Sequence, residues 1–367
     1  MPLEISREPK HYQLAFEACA MAAFAKDAVD SKYCNCLAIA KYGLALRAIH
    51  DALGATAMVQ KDATLASVLL LALFECINPT TGGVRGWYKH IIGAMNLVKE
   101  RIRQKSAKQI AHSLFISVRT QMVLHSLVTL SGDDDEVWWP QDNITHKYTL
   151  TQKLCAEASS LGAKAKTLLD HPRNEEYARE LFKKCQDHDR RCKNWWESSF
   201  ANTQHRIAWT DRVLGSEHNR FQPLMLWNML LHARVLLNMS IVRCVACIYE
   251  PKKNDYKTST EYAQAFLELQ SLISNITISF QQRKEMISAL GGYFMTWPLA
   301  LMLSSKRLQE SQRAVFNDQL KYIGKKYLGI CHAFVAPMAR LEEQEQHPFG
   351  SPKMLWTAPN RVEQYPY

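Results

Sequence analysis

The sequence predicts an all-α fold: a large, irregular multi-helix bundle of antiparallel helices with no significant sheet. Glycine and proline are scarce, at 14 and 13 in 367 residues, whereas an average protein carries about 12% of the two together. Apolar residues recur at the helical spacing through most of the chain, and the alternation that is typical of strands is nearly absent. Hydrophobic residues make up 47% of the chain, so a sizeable core can form between the helices.

The first long helix is predicted within the segment between Pro9 and Pro79, which contains no other proline. Its core stripe has the spacing i, i+3, i+7 and i+11, which places side chains on one helix face: Leu37, Ala40, Leu44 and Ala48. An adjoining stripe consists of Leu46, Ile49 and Leu53. Gly54 follows directly and is predicted to cap the helix at its C-terminal end.

Three helices are predicted between this cap and residue 131. Asp62 is a good N-cap for the first of them, and Asn78-Pro79 stops it. The second carries Trp87 and ends beyond Val98. The third, over residues 110–130, is apolar on more than one face, which predicts a buried helix.

The remaining helices follow the same apolar periodicity. They are predicted at residues 149–169, 174–200, 221–249, 261–288, 293–307, 311–329 and 331–343, the last kinked at Pro337. We expect one helical domain over 1–344, with a candidate internal break near 131–148, where an acidic run precedes Trp138-Trp139-Pro140. Residues 345–367 hold four prolines and are predicted to form an irregular tail.

Charge and hydropathy predict an intracellular protein with reduced thiols and no membrane span. The first ten residues contain four charged side chains, which an export signal lacks. The apolar stretch 63–77 is shorter than the roughly 20 residues of a span, and the stretch 223–249 is interrupted by polar residues, which favours an amphipathic helix. The formal net charge is +10, which permits an acidic partner.

No metal site and no cofactor are predicted. The acidic run has Val137 where a helical magnesium site needs a third carboxylate at the fifth position. Cys185, His188 and Cys192 share one helix face, but the neighbouring lysines and arginines would repel a cation. The sequence contains no phosphate-binding glycine loop, no H-E-x-x-H and no G-x-S-x-G.

Direct, sequence-specific DNA binding is not favoured. Basic runs at 99–108 and 183–193 could contact phosphates. Neither run belongs to a recognisable DNA-reading motif, and such runs are more often solvated helix faces.

Two sets of residues are candidates for a functional site. Acid–base candidates are polar residues within apolar helices: Glu75, His90, His125 and His232. Candidates for the lining of an apolar ligand pocket are large or adaptable side chains of two later helices: Trp227, Met229, Phe294 and Trp297. For both sets a structural role in the core is the simpler interpretation.

Several segments resemble the helical regulatory region of fungal binuclear zinc-cluster transcription factors. The resemblance rests on Y-G-L-A-L-R at 42–47, D-A-T-L-A at 62–66, L-L-L-A-L-F-E at 69–75 and G-W-Y-K-H-I-I-G-A at 86–94. More diffusely, Trp195, Trp297-Pro298-Leu299 and residues 320–330 are similar to later elements of the family. The resemblance implies an all-α regulatory domain that responds to small molecules or partners.

The zinc cluster that reads DNA in this family has no counterpart in the sequence, whose first cysteine is Cys19. Two hypotheses follow. The first is a transcription-factor-like regulator, nuclear or alternatively cytoplasmic, that acts through a small hydrophobic molecule or a protein partner. The alternative is a stand-alone fungal protein of specialised metabolism that binds a hydrophobic compound and catalyses a cofactor-free cyclisation or isomerisation. The oligomeric state is left open.

Overall fold

The fold is helical throughout the part of the chain that the computed structural model describes, which comprises residues 9–80, 84–104, 110–130, 138–139, 147–168, 174–200, 217–249, 256–281, 289–303 and 309–335. These ranges contain no strand, so the all-α prediction is confirmed. The acidic run, most of the candidate break and the proline-rich tail lie outside the described residues.

Thirteen α-helices are present in the described ranges. They are α1 (Lys10–Phe24), α2 (Ser31–Leu53), α3 (Thr56–Val59), α4 (Asp62–Ile77), α5 (Val84–Arg103), α6 (His112–Thr129), α7 (Lys147–Thr167), α8 (Glu175–Phe200), α9 (Glu217–Tyr249), α10 (Thr260–Gln281), α11 (Ala289–Leu303), α12 (Glu310–Lys326) and α13 (His332–Val335). Neither α1 nor the short α3 was assigned from the sequence, whereas the other long helices lie close to their predicted positions.

Helices α1 and α2 form an antiparallel hairpin that packs through small side chains. The buried residues of α2 are spaced by three and four: Ala38, Tyr42, Ala45, Ile49 and Ala52. The buried face of α1 is similarly rich in alanine, with Ala15, Ala18 and Ala22. Because alanine ends at Cβ, the two helices can approach each other closely.

The predicted core stripes of α2 were therefore wrong, although the helix itself was right. Leu44 is 41% exposed, Ala40 is exposed, and Leu37 and Ala48 are only half-buried. In the adjoining stripe, only Ile49 is buried. The physical reason is that α1 presents an alanine face, which packs against the alanine face of α2 and leaves the larger side chains outside.

Helix α4 lies between the hairpin and α5. It begins at Asp62 itself, with Lys61 at the N-cap and no side-chain cap, so the predicted capping role of Asp62 was wrong. The Asp62 carboxylate instead lies 3.0 Å from Nη1 of the buried Arg101 and accepts the Ala111 N–H at 2.9 Å. It thereby joins the start of α4 to the end of α5 and the start of α6.

Helix α9 lies at the centre of the later half and packs against α7, α8, α10 and α11. Among the described residues, its segment Met225–Tyr249 is the one long and apolar enough to cross a membrane by length and composition, and 94% of the apolar window is buried inside the bundle. The predicted amphipathic helix is thus enclosed on all sides. Its polar residues are buried with it: Asn228, His232, Arg234, Asn238, Ser240 and Arg243.

One hydrophobic core connects the two halves of the chain, from Leu14 in α1 to Phe334 in α13. Its middle is an aromatic cluster in which the rings of Trp87 and Trp297 lie 4.5 Å apart. The Trp87 indole N–H also donates to the Tyr293 hydroxyl at 3.2 Å. Trp138, in the segment between α6 and α7, is fully buried in the same core.

Candidate functional site

Two of the four acid–base candidates, Glu75 and His90, meet in a buried polar network beneath the hairpin. Tyr42 joins them: its hydroxyl donates to Glu75 Oε1 at 2.6 Å and lies 2.8 Å from His90 Nε2. Since the hydroxyl proton goes to the carboxylate, the imidazole N–H donates to the tyrosine oxygen. Thr80 completes the network by donating its N–H and its hydroxyl to the same carboxylate at 3.0 Å.

The backbone at Gly86 leaves room for the Glu75 carboxylate. Glu75 is 1% exposed, and its side chain lies against Gly86 in the first turn of α5. A Cβ atom at Gly86 would lie 2.6 Å from Glu75 Oε1, so any larger residue there would displace the carboxylate. Tyr42 also stacks on Phe74, with ring centroids 4.3 Å apart. The network therefore fixes how α2 is rotated on α4 and α5.

Burial favours the neutral forms of Tyr42 and His90 in this network. Burial raises the pKa of Tyr42 above its ordinary value, and the neighbouring Glu75 raises it further. Burial lowers the pKa of His90, although the Glu75 charge partly opposes this. A neutral histidine that donates one hydrogen bond and a tyrosine that keeps its proton are structural partners of a buried carboxylate.

The other two acid–base candidates lie elsewhere in the core. The His125 ring packs against Tyr88, with centroids 4.7 Å apart, on the far side of α5 from the hairpin. His232 is 1% exposed and lies in the middle of α9. Burial lowers its pKa to about 3, and the nearby backbone of Leu127 opposes this shift. The structure thus brings together Glu75 and His90 but not His125 or His232.

The four pocket candidates are packed side chains of α9 and α11. Trp227 lies over Trp196 of α8 with ring centroids 4.2 Å apart, and Met229 is 1% exposed. Phe294 contacts Tyr293 edge to face, at 5.3 Å between centroids, and Trp297 belongs to the aromatic cluster. Their role in ligand binding stays a prediction.

A groove lies at another place, between α8, the end of α9 and the start of α10. Its volume is about 190 Å³, and its lining combines cationic, anionic, apolar and hydroxyl groups: Arg179, Phe182, Lys183, Val245, Ile248, Tyr249 and Glu261. The Tyr249 hydroxyl donates to Glu261 Oε2 at 3.3 Å. Sequence reasoning missed this groove because its residues come from three helices with no shared motif.

The second basic run forms part of a charged belt along α8 rather than a free cationic patch. Arg234 of α9 binds both carboxylate oxygens of Asp189, at 2.8 and 3.1 Å, and also Glu268 of α10 at 3.1 Å. Arg191 pairs with Glu157 at 3.1 Å. The first basic run is described only as far as residue 104.

The cysteine–histidine face of α8 points into the protein. His188 donates from Nε2 to the Leu154 carbonyl at 2.8 Å, and burial raises the pKa of Cys192 to about 12. Cys185 is fully buried. Within the described ranges, no group of three or more His, Cys, Asp or Glu side chains is arranged to hold a metal ion.

The most unusual surface of the described chain is the outside of the hairpin. Thirteen large hydrophobic side chains are exposed in the described residues, and eight of them lie between residues 16 and 53. We call this group the hairpin surface: Phe16, Phe24, Val29, Tyr33, Ile39, Leu44, Leu46 and Leu53. Single exposed apolar residues are ordinary, but a concentration of them on one pair of helices is a feature of interaction sites.

Residues 16–132 match the family model of the fungal specific transcription factor domain. The match confirms the resemblance seen in the sequence, and it spans α1 to α6, about a third of the chain. Both the hairpin surface and the Glu75 network lie inside it. No curated protein and no solved structure matches the chain significantly.

Proposed function

We propose that this chain is a transcription-factor-like regulator that works in the nucleus and acts through a protein partner bound to the hairpin surface. The observation that carries the proposal is the concentration of exposed apolar side chains on α1 and α2, within the region that matches the transcription factor family. Exposed apolar area is costly in water and is retained where a partner covers it.

The buried network beneath the surface supports this role. Tyr42 ties α2 to Glu75 and His90, and Lys41 of α2 pairs with Glu17 of α1 at 2.6 Å. These bonds hold the two helices in one orientation, so that the hairpin surface is rigid before a partner arrives. A preformed surface loses less conformational entropy on binding than a flexible one.

The test is a tethered reporter assay. The full chain is fused to an unrelated DNA-binding domain, and reporter output is measured for the wild type and for Leu44→Asp. Val315→Asp on α12, whose parent side chain is 37% exposed, is the matched control. We expect Leu44→Asp to remove most of the reporter response at equal protein level and Val315→Asp to retain it. Equal responses from both variants would contradict the proposal.

Small-molecule sensing at the groove between α8, α9 and α10 is a second candidate function. Arg179 of its lining is paired with Glu175 at 2.7 Å, and Glu261 adds a carboxylate. The cation offered to a ligand is therefore Lys183, which lines the groove together with the apolar side chains of Phe182 and Ile248. This combination fits an amphipathic carboxylate of roughly ten non-hydrogen atoms. Octanoate is expected to raise the melting temperature of the wild type and to have little effect on Lys183→Glu. An equal shift in both proteins, or none in either, would exclude the groove as the site.

A further inference from the structure

We infer that the partner on the hairpin surface presents an acidic amphipathic helix, which lies lengthwise in a cleft between α2 and α5. The inference rests on the proposed function, because it names the chemistry of the partner that binds the same surface. Three observations carry it: the shape of the cleft, the exposed apolar side chains along its α2 wall, and the cations without carboxylate partners on its rims.

The cleft exists because α2 and α5 lie side by side on α4. A polar contact joins them near the middle, where the Tyr42 hydroxyl lies 2.8 Å from His90 Nε2. The two helices run in the same direction, since α2 leads into α3 and Arg101, near the end of α5, donates to the Val59 carbonyl of α3 at 2.9 Å. The cleft above this contact is therefore bounded by two parallel walls.

The α2 wall is a row of exposed apolar side chains. Ile39, Leu46 and Leu53 are 51%, 38% and 42% exposed, and their spacing of seven residues places them in one row. Tyr42 lies between the first two on the same side of the helix, so the row faces α5. At 1.5 Å per residue the row is about 21 Å long, which is the length of four helical turns.

The α5 wall is low and leaves the cleft open. Gly93 and Leu97 follow His90 by three and seven residues and therefore share its side of α5. Among the described residues, a Cβ atom at Gly93 would meet only Val68 Cγ1 of α4, at 3.7 Å, and Leu97 is half-buried. A helix can therefore enter from outside and place apolar side chains between the two walls.

The rims of the cleft are positively charged. Arg47 on α2 and Lys89 on α5 are both exposed, and the Lys89 charge is close enough to His90 to lower the pKa of that imidazole. Among the described residues, neither cation has a carboxylate partner. On α8, by contrast, five cations are each paired with a carboxylate: Arg179, Lys184, Arg190, Arg191 and Lys193.

The nearby carboxylates do not neutralise these rims. Glu100 on α5 accepts from Arg103 Nε at 2.8 Å. The exposed Asp51 follows Leu44 by seven residues and shares its flank of α2. That flank begins two residues beyond Tyr42 and is turned away from α5. An apolar helix with carboxylates on its flanks is thus complementary to the cleft, whereas a basic helix would be repelled.

The first experiment measures peptide binding to the full chain by fluorescence anisotropy. The probe is a labelled peptide of about 15 residues with leucines on one helical face and glutamates on its flanks. A second peptide has the same composition in scrambled order. We expect the amphipathic peptide to bind with a Kd below about 100 µM and the scrambled peptide at least tenfold more weakly. Equal affinities, or no binding of either peptide, would overturn the inference.

The second experiment locates the peptide. The double variant Arg47→Glu/Lys89→Glu is expected to bind at least tenfold more weakly, while Lys164→Glu on α7, whose parent side chain is exposed, is the control. Leu46→Gln is expected to weaken binding about tenfold, and Leu267→Gln on α10 is its control. Circular dichroism verifies that each variant is folded. Wild-type affinity in both cleft variants would place the peptide elsewhere and overturn the inference.

A competition experiment tests the other class of acidic macromolecule. An unlabelled DNA duplex of arbitrary sequence is added to the peptide complex at equal concentrations of negative charge. We expect the peptide to stay bound, because a duplex offers no apolar face to the α2 wall. Displacement by DNA that is lost in Arg47→Glu/Lys89→Glu would assign the rims to phosphates instead and overturn the inference.

The outcomes separate this inference from the proposed function, because Leu44 lies outside the cleft. If the peptide does not bind but Leu44→Asp still removes the reporter response, the partner has another chemistry: the inference fails and the proposed function stands. If the peptide binds in the cleft but Leu44→Asp leaves the response intact, the inference stands and the proposed function fails.

Discussion

The α1–α2 hairpin and helix α9 bury their residues by opposite rules. In the hairpin, alanines line the interior while phenylalanine, tyrosine and leucine side chains remain exposed. In the segment Met225–Tyr249 of α9, nearly every side chain is buried, including the guanidinium of Arg234 and the imidazole of His232. The hydrophobicity of a residue thus ranks its tendency to be buried, but the neighbouring helices decide which face is covered.

The two regions also use their buried polar groups differently. Beneath the hairpin, the buried carboxylate of Glu75 in α4 accepts hydrogen bonds from three donors, the Tyr42 hydroxyl and the N–H and hydroxyl of Thr80, and the bond from Tyr42 orients α2. In α9, Arg234 meets two carboxylates from two different helices, so it joins α8 and α10 to the central helix. Substitutions in the two regions should therefore change the free energy of unfolding by different amounts and with a different dependence on pH.

Removal of the α9 ion pairs gives the largest expected effect. Arg234→Met leaves the buried Asp189 without its cation, whereas Glu268 keeps Lys193 at 3.6 Å. The loss of one partner of a buried pair costs about 3–5 kcal/mol. Urea unfolding monitored by circular dichroism measures this free energy. The double variant Arg234→Met/Asp189→Asn should recover part of it. A loss below about 1 kcal/mol would show that α9 does not depend on its buried charges.

Two adjacent residues of α2 test the inverted burial of the hairpin. Ala45 is fully buried and Leu44 is 41% exposed. Ala45→Leu should therefore destabilise the fold by about 1–3 kcal/mol through overpacking, while Leu44→Ala should stay within about 0.5 kcal/mol. Thermal unfolding at low protein concentration compares the two. The reverse order would mean that α2 presents its other face to the core.

Both regions contain a histidine whose pKa is lowered by burial, His90 beneath the hairpin and His232 in α9, and His232 should make a large contribution to the pH dependence of stability. Burial lowers its folded pKa to about 3 from 6.5, so the stabilising contribution is complete above pH 6.5 and falls as the pH drops towards 3. The loss is about 1.4 kcal/mol per pH unit, or roughly 2 kcal/mol at pH 5. Urea unfolding of wild type and His232→Leu at pH 7, 6 and 5 measures it. Parallel pH slopes for the two proteins would contradict the assignment to His232.

The smallest effect is expected at the network beneath the hairpin. Tyr42→Phe removes one of the hydrogen bonds to Glu75 and the acceptor of the His90 N–H, but Thr80 still donates to the carboxylate. We expect a loss of about 1–2 kcal/mol without a change in helix content. Thr80→Val provides the comparison, since it removes a different donor to the same group. No loss in either variant would indicate that water replaces these donors.

The positions of the helices could be predicted from the sequence, whereas their buried faces could not. Apolar periodicity located α2, α4, α5 and α9 because it is a local property of the chain. The buried face of α2 depends on α1, which supplies Ala15, Ala18 and Ala22 from another part of the sequence. In α9, the polar residues indicated an amphipathic helix, and the carboxylates that pair with Arg234 lie 34 and 45 residues away.

The same limit applies to the candidate site. Glu75 and His90 could be proposed from their residue types, but Tyr42, which joins them, was part of the family resemblance and was not a candidate. The close contact between the Glu75 carboxylate and Gly86 depends on the folded structure. It could therefore not be inferred from the sequence. The hairpin surface could not be predicted either, because its leucines have the same spacing as core residues.

The enclosure of α9 has a consequence for biosynthesis. Its segment Met225–Tyr249 resembles a membrane span in length and composition, and its cover includes α10 and α11, which follow it in the chain. Translation must therefore continue past Leu303 before this segment is fully shielded. During that interval the nascent chain exposes an apolar stretch of 25 residues. Ribosome-associated chaperones that bind this stretch would raise the yield of correctly folded protein.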